Sequence, residues 1–197
     1  PPASSSAASD VYKRQVYAEE SSDGYLLYVA IADVSEYVLQ DSSLDKEALS
    51  RATSVYFEKK VIPMLPELIS NKLCSLRPNE DKLVLTCEIY LDGKGEIKSY
   101  EFFNSVICSK NRLTYDEVEK FYQKDQTTLS DDIVSNLSTL KKIHGLRRKI
   151  REERKAIDFY LPEYRPVGKD NKIIKFKSIN HLLANEVIEE SMILANI

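Results

Sequence analysis

The amino-acid sequence predicts an α+β fold built from β-hairpins with helices packed over them. Two turn signals, Asp92–Gly95 and Gly168–Asn171, each separate two short segments rich in β-branched and aromatic residues, which is typical of hairpins. Other segments carry apolar residues three and four positions apart, which is typical of helices. Because strands and helices do not alternate regularly, a parallel βαβ sheet is not expected.

Most of the predicted strands lie in the first half of the chain. They are Val16–Glu20, Tyr25–Ala32, Lys82–Tyr90 and Glu96–Ile107, and the second hairpin adds Tyr164–Val167 and Ile173–Phe176. Tyr25–Ala32 is apolar and aromatic and follows an Asp-Gly pair, so a buried strand is expected there. Pro63 and Pro66 bracket a kinked turn, after which Glu67–Leu73 is predicted to form one or two helical turns.

Four longer helices are predicted from apolar spacing and capping residues. They cover Ser42–Thr53, Tyr115–Tyr122, Asp131–Lys155 and Asn180–Asn196. The first begins with Ser and Asp, residue types whose side chains accept hydrogen bonds from the free N–H groups of a first turn. The third carries one apolar stripe, formed by Ile133, Leu137, Leu140, Ile143, Leu146 and Ile150. The last is apolar on more than one face, which predicts an exposed apolar patch made of Val187, Ile188, Met192, Ile193 and Leu194.

Composition indicates one sizeable hydrophobic core. The chain has 197 residues, of which 43% are hydrophobic and 30% are charged. Pro1–Gln15 is rich in Ser and Ala, and we interpret it as a non-native, low-complexity leader that precedes a domain over residues 16–197. No apolar run reaches the roughly 18 residues that a membrane helix needs, and the leader lacks the apolar core of a signal peptide. A cytoplasmic location without membrane attachment is therefore expected.

Cysteine and histidine usage argues against disulfide bonds and against a histidine-based metal site. The three cysteines, Cys74, Cys87 and Cys108, are odd in number and show no paired spacing, which favours buried reduced thiols. The two histidines, His144 and His181, have no second imidazole or thiol at ligand spacing.

The charge distribution argues against a protein that holds nucleic acid by a generally basic surface. The net charge is −3, whereas neutralising phosphates needs clustered Lys and Arg. A local groove remains open, and the candidate patch is Arg147–Lys155, which Glu152 and Glu153 interrupt. Its spacing is that of a long exposed helix, so the solvated-face interpretation is favoured over a nucleic-acid groove.

Two segments carry a family resemblance. Tyr25–Val38, which reads YLLYVAIADVSEYV, and Arg51–Leu76, which reads RATSVYFEKKVIPMLPELISNKLCSL, resemble the catalytic module of the ribonuclease II / ribonuclease R family, the RNB domain. The resemblance runs from about Val16 to Ile197 and implies the N-terminal half of an RNB-type module, hence an incomplete one. It implies a processive 3′-to-5′ exoribonuclease that uses magnesium to release nucleoside monophosphates from single-stranded RNA. The implied partners are the RNA 3′ end, the remaining half of the module and flanking OB-fold domains.

The resemblance also locates a metal site whose ligands this chain lacks. The family holds two divalent cations with aspartates of a DxDDA run just before the first strand, because clustered carboxylates bind hard cations. In register, Val11, Lys13, Arg14 and Gln15 stand where D, D, D and A belong. Asp10 falls outside the pattern. No metal ligand and no catalytic residue is therefore identified in this chain.

Other aspartates have structural interpretations. Asp41 with Asp45, and Asp131 with Asp132, are expected at turns and helix starts. Asp33 matches a recurrent family aspartate, and we expect it to accept a hydrogen bond at the end of a strand.

The resemblance implies that residues gripping the RNA end are retained. Tyr56 and Phe159 match aromatic residues that stack on either side of the terminal bases. Tyr115 and Glu189 match positions that contact the last nucleotides and help to distinguish ribose from deoxyribose, as a carboxylate can by accepting a hydrogen bond from a 2′-hydroxyl. From spacing alone, the three aromatic residues would be core packing residues and Glu189 a helix surface residue.

Two further departures bear on RNA binding. Family members often carry histidine at the position of Ala30 and arginine at that of Glu186, and a negative charge near the RNA path weakens phosphate contact. We interpret the chain as a fragment of an exoribonuclease that is inactive as written. The alternatives are a catalytically inactive RNA-binding module, or pseudonuclease, and a structural relative that uses the fold for protein contacts.

Overall fold

The computed structural model describes residues 13–57, 61–124, 129–157, 163–169, 172–179 and 181–196. These residues form an α+β fold, as the sequence predicts. The strands are β1 (Arg14–Ser21), β2 (Gly24–Ala32), β3 (Val55–Tyr56), β4 (Val61–Ile62), β5 (Asp81–Asp92), β6 (Ile97–Cys108), β7 (Glu163–Lys169) and β8 (Lys172–Ile179). The α-helices are α1 (Ser43–Arg51), α2 (Tyr115–Lys124), α3 (Asp131–Glu153) and α4 (Leu183–Ala195). A 3₁₀ turn covers Val34–Glu36 and a π-helical segment covers Ile69–Leu73.

A four-stranded sheet has the order β1-β2-β5-β6. Its two tight connections depend on glycine. A Cβ atom on Gly24 would lie 2.0 Å from the carbonyl O of Leu91, so only glycine fits at the start of β2. Gly95, in the β5–β6 turn, has φ +86°, and a Cβ there would lie 2.7 Å from Cβ of Leu146. The Asp-Gly and Gly-Lys-Gly signals in the sequence therefore have a conformational cause.

The chain folds into two compact units. Among the described residues, the first unit comprises 13–17, 27–89 and 99–112, and the second comprises 18–26, 90–98 and 113–196. The core of the first unit contains the buried residues Ala30, Ala32, Leu65, Ile69, Cys74, Leu76 and Val84. Met64, Leu44 and Ala48 pack against that core, so the proline-bracketed turn and α1 both cover the sheet.

The second unit is helical over most of its length. Helix α4 packs against both α2 and α3. The predicted stripe of α3 is confirmed, since Leu137, Leu140 and Ile143 are buried. No helix among the residues described combines the length and the apolar character that crossing a bilayer requires.

Two predictions about burial need correction. Val187 and Leu194 are only 3% and 1% exposed, so they belong to the interior of the second unit and not to an apolar patch on α4. Ile193, at 51%, is the exposed member of the predicted set. Cys108 is exposed, at the end of the edge strand β6, whereas Cys74 and Cys87 are buried as expected, and all three thiols are free. Burial raises the pKa of both buried thiols.

Candidate functional site

The segment in which the family resemblance implies a metal site carries Lys13 and Arg14 in this chain. Arg14 opens β1, and the carbonyl O of Lys13 accepts a hydrogen bond of 2.9 Å from the backbone N–H of Ala32. Val11 and Asp10 lie outside the described residues. Across the ranges that the structure describes, no group of three or more His, Cys, Asp or Glu residues could hold a metal ion. The described residues therefore do not fit a two-cation site.

The aspartates assigned structural roles have those roles. Asp45 accepts from the backbone N–H of Asp41 at 3.0 Å, while its own N–H donates to Oγ of Ser42, the N-cap of α1. Asp33 directly follows β2 and caps the 3₁₀ turn by accepting from the N–H of Ser35 at 3.0 Å. These carboxylates stabilise local backbone and are not gathered into one site.

Tyr56 lies in a short two-stranded ribbon of the first unit. The register of β3 and β4 sets Val55 opposite Ile62 and Tyr56 opposite Val61; the structure does not describe the side chain of Tyr56. Ser54 Oγ accepts from the N–H of Met64 at 2.9 Å, which ties the two ends of the ribbon together.

Helix α1 also contacts the segment that follows β4, through Arg51 at its C-terminal end. Arg51 donates from Nη1 to the carbonyl O of Pro63 at 3.0 Å, and its Nε pairs with Glu47 at 2.8 Å. Leu65 is buried in the core directly after this contact. The proline-bracketed turn thus acts as a scaffold for the segment that carries Tyr56.

Tyr115 is the first residue of α2, in the second unit. Thr114 caps the helix, since its Oγ1 accepts from the N–H of Glu117 at 3.2 Å while the Glu117 carboxylate accepts from the Thr114 N–H at 2.7 Å. This is a capping box, and it fixes the direction in which α2 starts. Tyr115 is half-buried there. Phe159, the remaining aromatic residue predicted to contact RNA, lies outside the described residues.

Glu189 is an exposed residue of α4. Its neighbours Val187 and Glu190 are buried, so α4 presents Glu189 to solvent. Its Oε2 lies 3.6 Å from Nε2 of His181. The helices that carry Tyr115 and Glu189 pack together, and the N–H of Ala184 donates to Oε2 of Glu119 at 3.1 Å. Two of the predicted RNA-contacting residues therefore belong to one helix pair.

The basic stretch of α3 is not simply a solvated face, which corrects the interpretation that the sequence favoured. Arg147 is 7% exposed, and its Nε lies 3.5 Å from Oε1 of Glu190, which is 4% exposed. Arg151 donates from Nη1 to the other oxygen of Glu190 at 3.1 Å. Arg147 also donates from Nη1 to the carbonyl O of Gly95 at 3.0 Å. The arginines of this stretch therefore join α3 to α4 and to the β5–β6 turn.

Glu186 brings together both histidines of the chain. Its Oε2 lies 3.3 Å from Nε2 of His144 and 3.2 Å from Nη1 of Arg148, and its Oε1 lies 3.8 Å from Nε2 of His181. Burial lowers the pKa of His144, while the Glu186 carboxylate acts in the opposite direction. The negative charge of Glu186 is thus paired with the Arg148 guanidinium and lies beside both imidazoles. Sequence spacing missed this cluster because its members come from different elements.

A cleft of about 290 Å³ lies over the sheet of the first unit. Gln15, Tyr17, Tyr28, Ala30, Thr86, Phe103, Ser105 and Ile107 line it. Thr86 and Ser105 share a hydroxyl–hydroxyl hydrogen bond of 2.6 Å across its floor. The cleft therefore includes Gln15, from the run that the resemblance sets against the family aspartates, and Ala30, which the resemblance sets against a frequent family histidine.

Comparison with known proteins finds relatives of this chain in both sequence and fold. The RNB domain family matches residues 4–197. Ribonuclease R of Vibrio parahaemolyticus is 41% identical over 186 residues, which cover 92% of this chain and 22% of that protein. The structure of Mycoplasma genitalium RNase R in complex with ribose methylated single-stranded RNA superposes with a TM-score of 0.89 at 35% identity, covering 93% of this chain and 29% of that one. Yeast Ssd1, described as a pseudonuclease, shares the fold, with a TM-score of 0.59 at 21% identity over 73% of this chain and 19% of Ssd1.

The extent of the family match bears on the domain boundary. The family match begins at residue 4, upstream of Val16. A domain boundary at Val16 and a foreign origin for residues 1–15 therefore stay predictions. The chain spans about a quarter of the length of the curated relatives it matches. Since the match covers nearly the whole sequence and is accompanied by relatives above 40% identity, the chain belongs to the RNB domain family of ribonuclease R.

Proposed function

We propose that the chain is part of a processive 3′-to-5′ exoribonuclease that degrades single-stranded RNA to nucleoside monophosphates in the cytoplasm. The observation that carries this proposal is the match of nearly the whole chain to ribonuclease R in both sequence and fold. A solved structure of that name is in complex with ribose methylated single-stranded RNA, which supports RNA as the ligand. The rest of the module and the flanking OB-fold domains would be supplied by the remainder of such a protein.

Four residues are proposed to bind the RNA 3′ end. Tyr56 and Phe159 stack on bases, which holds RNA without reading its sequence, as degradation of any sequence requires. Tyr115 and Glu189 contact the last nucleotides. The exposure of Glu189 on α4 supports its role, because a carboxylate that recognises a 2′-hydroxyl must be open to the ligand.

We do not expect a chain of this sequence to cleave RNA. Magnesium would require clustered carboxylates, and Lys13 and Arg14 place positive charge at the start of β1 instead. That charge repels cations, and the described residues contain no cluster of three or more His, Cys, Asp or Glu that could hold a metal ion. We therefore expect RNA-end binding without cleavage.

Two assays on the 197-residue chain test the proposal. Fluorescence anisotropy with a 3′-hydroxyl RNA oligonucleotide is expected to show binding that weakens when the terminal ribose is replaced by deoxyribose. Incubation of the same RNA with magnesium is expected to give no mononucleotides. Indifference to the terminal sugar would contradict the proposed roles of Tyr115 and Glu189, and magnesium-dependent mononucleotides would show that a metal site has been misplaced.

The alternative is a pseudonuclease whose native protein also lacks the aspartates. The cations at Lys13 and Arg14 favour it, and the shared fold of Ssd1 is compatible with it. The native coding sequence upstream of Val16 separates the two functions. A DxDDA run there supports the enzyme, whereas native Lys13 and Arg14 support the binding protein.

A further inference from the structure

The imidazole of His181 lies between two carboxylates of α4. Its Nε2 is 3.6 Å from Oε2 of Glu189 and 3.8 Å from Oε1 of Glu186. Glu186 and Glu189 are three residues apart, so their side chains are neighbours on one face of the helix, where two like charges repel each other. An imidazole nitrogen that faces both oxygens offsets this repulsion, because it can carry a proton and donate it to a carboxylate.

The backbone that follows His181 is fixed by two hydrogen bonds. His181 precedes Leu182, the N-cap residue of α4, whose N–H donates to Oδ1 of Asn185 at 3.3 Å. The N–H of Ala184, in the first turn, donates to Oε2 of Glu119 in α2 at 3.1 Å. The imidazole therefore starts from a defined position relative to α4.

Glu186 connects the imidazole to α3. Its other oxygen, Oε2, accepts from Nη1 of Arg148 at 3.2 Å and lies 3.3 Å from Nε2 of His144. The side chain of Glu186 is 21% exposed, whereas that of Glu189 is 59% exposed. The contacts therefore lead from a carboxylate held by α3, through His181, to the exposed carboxylate of Glu189.

Contact with His181 restricts the Glu189 side chain without occupying all of its acceptor sites. A long exposed glutamate populates several rotamers, and ordering it on binding costs free energy. A carboxylate accepts through two oxygens with several lone pairs, so an imidazole beside Oε2 leaves acceptor capacity for a ligand. A glutamate that is ordered before the ligand arrives binds that ligand more tightly, because the ligand no longer has to order it.

We propose that His181 is a positioning residue, which holds the Glu189 carboxylate in one orientation to accept from the 2′-hydroxyl of the last ribose. Recognition of ribose by Glu189 belongs to the proposed function, whereas the hold of His181 on Glu189 depends only on the contacts within this chain. His181 itself does not need to touch RNA.

The first measurement needs no RNA. NMR coupling constants across χ1 of Glu189, in the full 197-residue chain, are expected to show one dominant rotamer in the parent and averaged rotamers in His181→Ala. Glu153, an exposed carboxylate at the end of α3, is the comparison and should be averaged in both chains. Melting temperatures should not change, because an ion pair between exposed side chains adds little stability.

The second measurement is fluorescence anisotropy with two RNA oligonucleotides that differ only in the last sugar. His181→Ala should weaken binding of the ribose-ended RNA about threefold, and binding of the deoxyribose-ended RNA should not change, because only a 2′-hydroxyl engages Glu189. His181→Gln should keep the parent preference, since its amide nitrogen can donate from about the place of the imidazole Nε2. In a Glu189→Gln background, His181→Ala should have no further effect on the preference.

Averaged rotamers of Glu189 in the parent, or an unchanged rotamer in His181→Ala, would overturn the role of His181 whatever the RNA shows. In a chain that prefers ribose, an unchanged preference in His181→Ala would also overturn it. So would equal loss for both oligonucleotides, which is the effect of a packing residue. A single rotamer that depends on His181, in a chain that ignores the terminal sugar, would support the positioning of Glu189 and count against the proposed function alone.

Discussion

Arg147 and Glu190 form an ion pair that is buried on both sides. Their side chains are 9% and 5% exposed, with Nε and Oε1 3.5 Å apart, a separation too long for a good hydrogen bond. Nε and Oε1 themselves have no hydrogen-bond partner, whereas Nη1 of Arg147 donates to the carbonyl O of Gly95 and Oε2 of Glu190 accepts from Arg151. The pair therefore orients α4, the helix that presents Glu189, more than it adds net stability.

Removing Arg147 should be costly, because it leaves the buried Glu190 with only one of its two cationic partners and the carbonyl O of Gly95 without its donor. We expect Arg147→Met to lower the free energy of unfolding by about 3 to 5 kcal/mol, measured by urea denaturation. The double substitution Arg147→Met with Glu190→Leu should recover much of that loss. Lys142→Met, which breaks the exposed pair with Glu20, is the control and should change little. A double variant as unstable as the sum of the two single variants would contradict this account.

Gly95 should resist substitution for two independent reasons. Its φ of +86° disfavours any side chain, and a Cβ would lie 2.7 Å from Cβ of Leu146. We expect Gly95→Ala to cost more than about 1 kcal/mol of unfolding free energy. Gly93, in the same turn, has nothing within 4 Å of the corresponding Cβ position, so Gly93→Ala is a matched control. Equal melting temperatures for the two variants would show that the turn relaxes freely.

The sequence predicted the elements well where a local pattern determines them. The Asp92–Gly95 turn, the Ser42 cap and the stripe of α3 each depend on residues close together in the chain, and each prediction is confirmed. Ser42 accepts from the N–H of Asp45, as an N-cap should.

The sequence predicted burial less well where distant segments decide it. Arg147 is interior because Glu190 arrives from another helix, and no spacing rule within α3 shows that. Val187 is buried because α4 is covered by both α2 and α3, a fact of packing that its own apolar pattern leaves open. Of the predicted RNA-contacting residues, the structure describes the side chains of Tyr115 and Glu189 alone, and the roles of all four stay predictions from the family resemblance.

Stability should fall as the pH drops below about 6.5, because His144 resists protonation in the folded chain. Burial lowers the pKa of His144 in the folded chain, with Arg148 and Arg151 acting in the same direction and Glu186 and Glu190 opposing it. The unfolded chain therefore binds a proton more readily than the folded chain once the pH drops to about 6.5, the ordinary histidine value. The stabilisation is fully present above that pH and declines as the pH falls towards the lowered pKa.

Melting temperatures measured from pH 7.5 downwards test whether His144 causes the loss of stability. His144→Gln should flatten the decline, since glutamine keeps a polar group opposite Glu186 and does not titrate. The same variant at pH 7.5 reports the cost of altered packing and serves as the reference. An unchanged pH dependence in His144→Gln would assign the decline to another group.

Glu189→Gln should reduce discrimination between ribose and deoxyribose at the RNA 3′ end. An ionised carboxylate accepts a stronger hydrogen bond from a 2′-hydroxyl than a neutral amide does, so the variant should lose about fivefold in preference for a terminal ribose, equivalent to about 1 kcal/mol. Anisotropy with two oligonucleotides that differ only in the last sugar measures this ratio. Glu153→Gln, an exposed carboxylate at the end of α3, is the control for lost negative charge. If both variants tightened binding to the two oligonucleotides equally, Glu189 would act only as a surface charge, and the interpretation of α4 as part of the RNA-end site would be wrong.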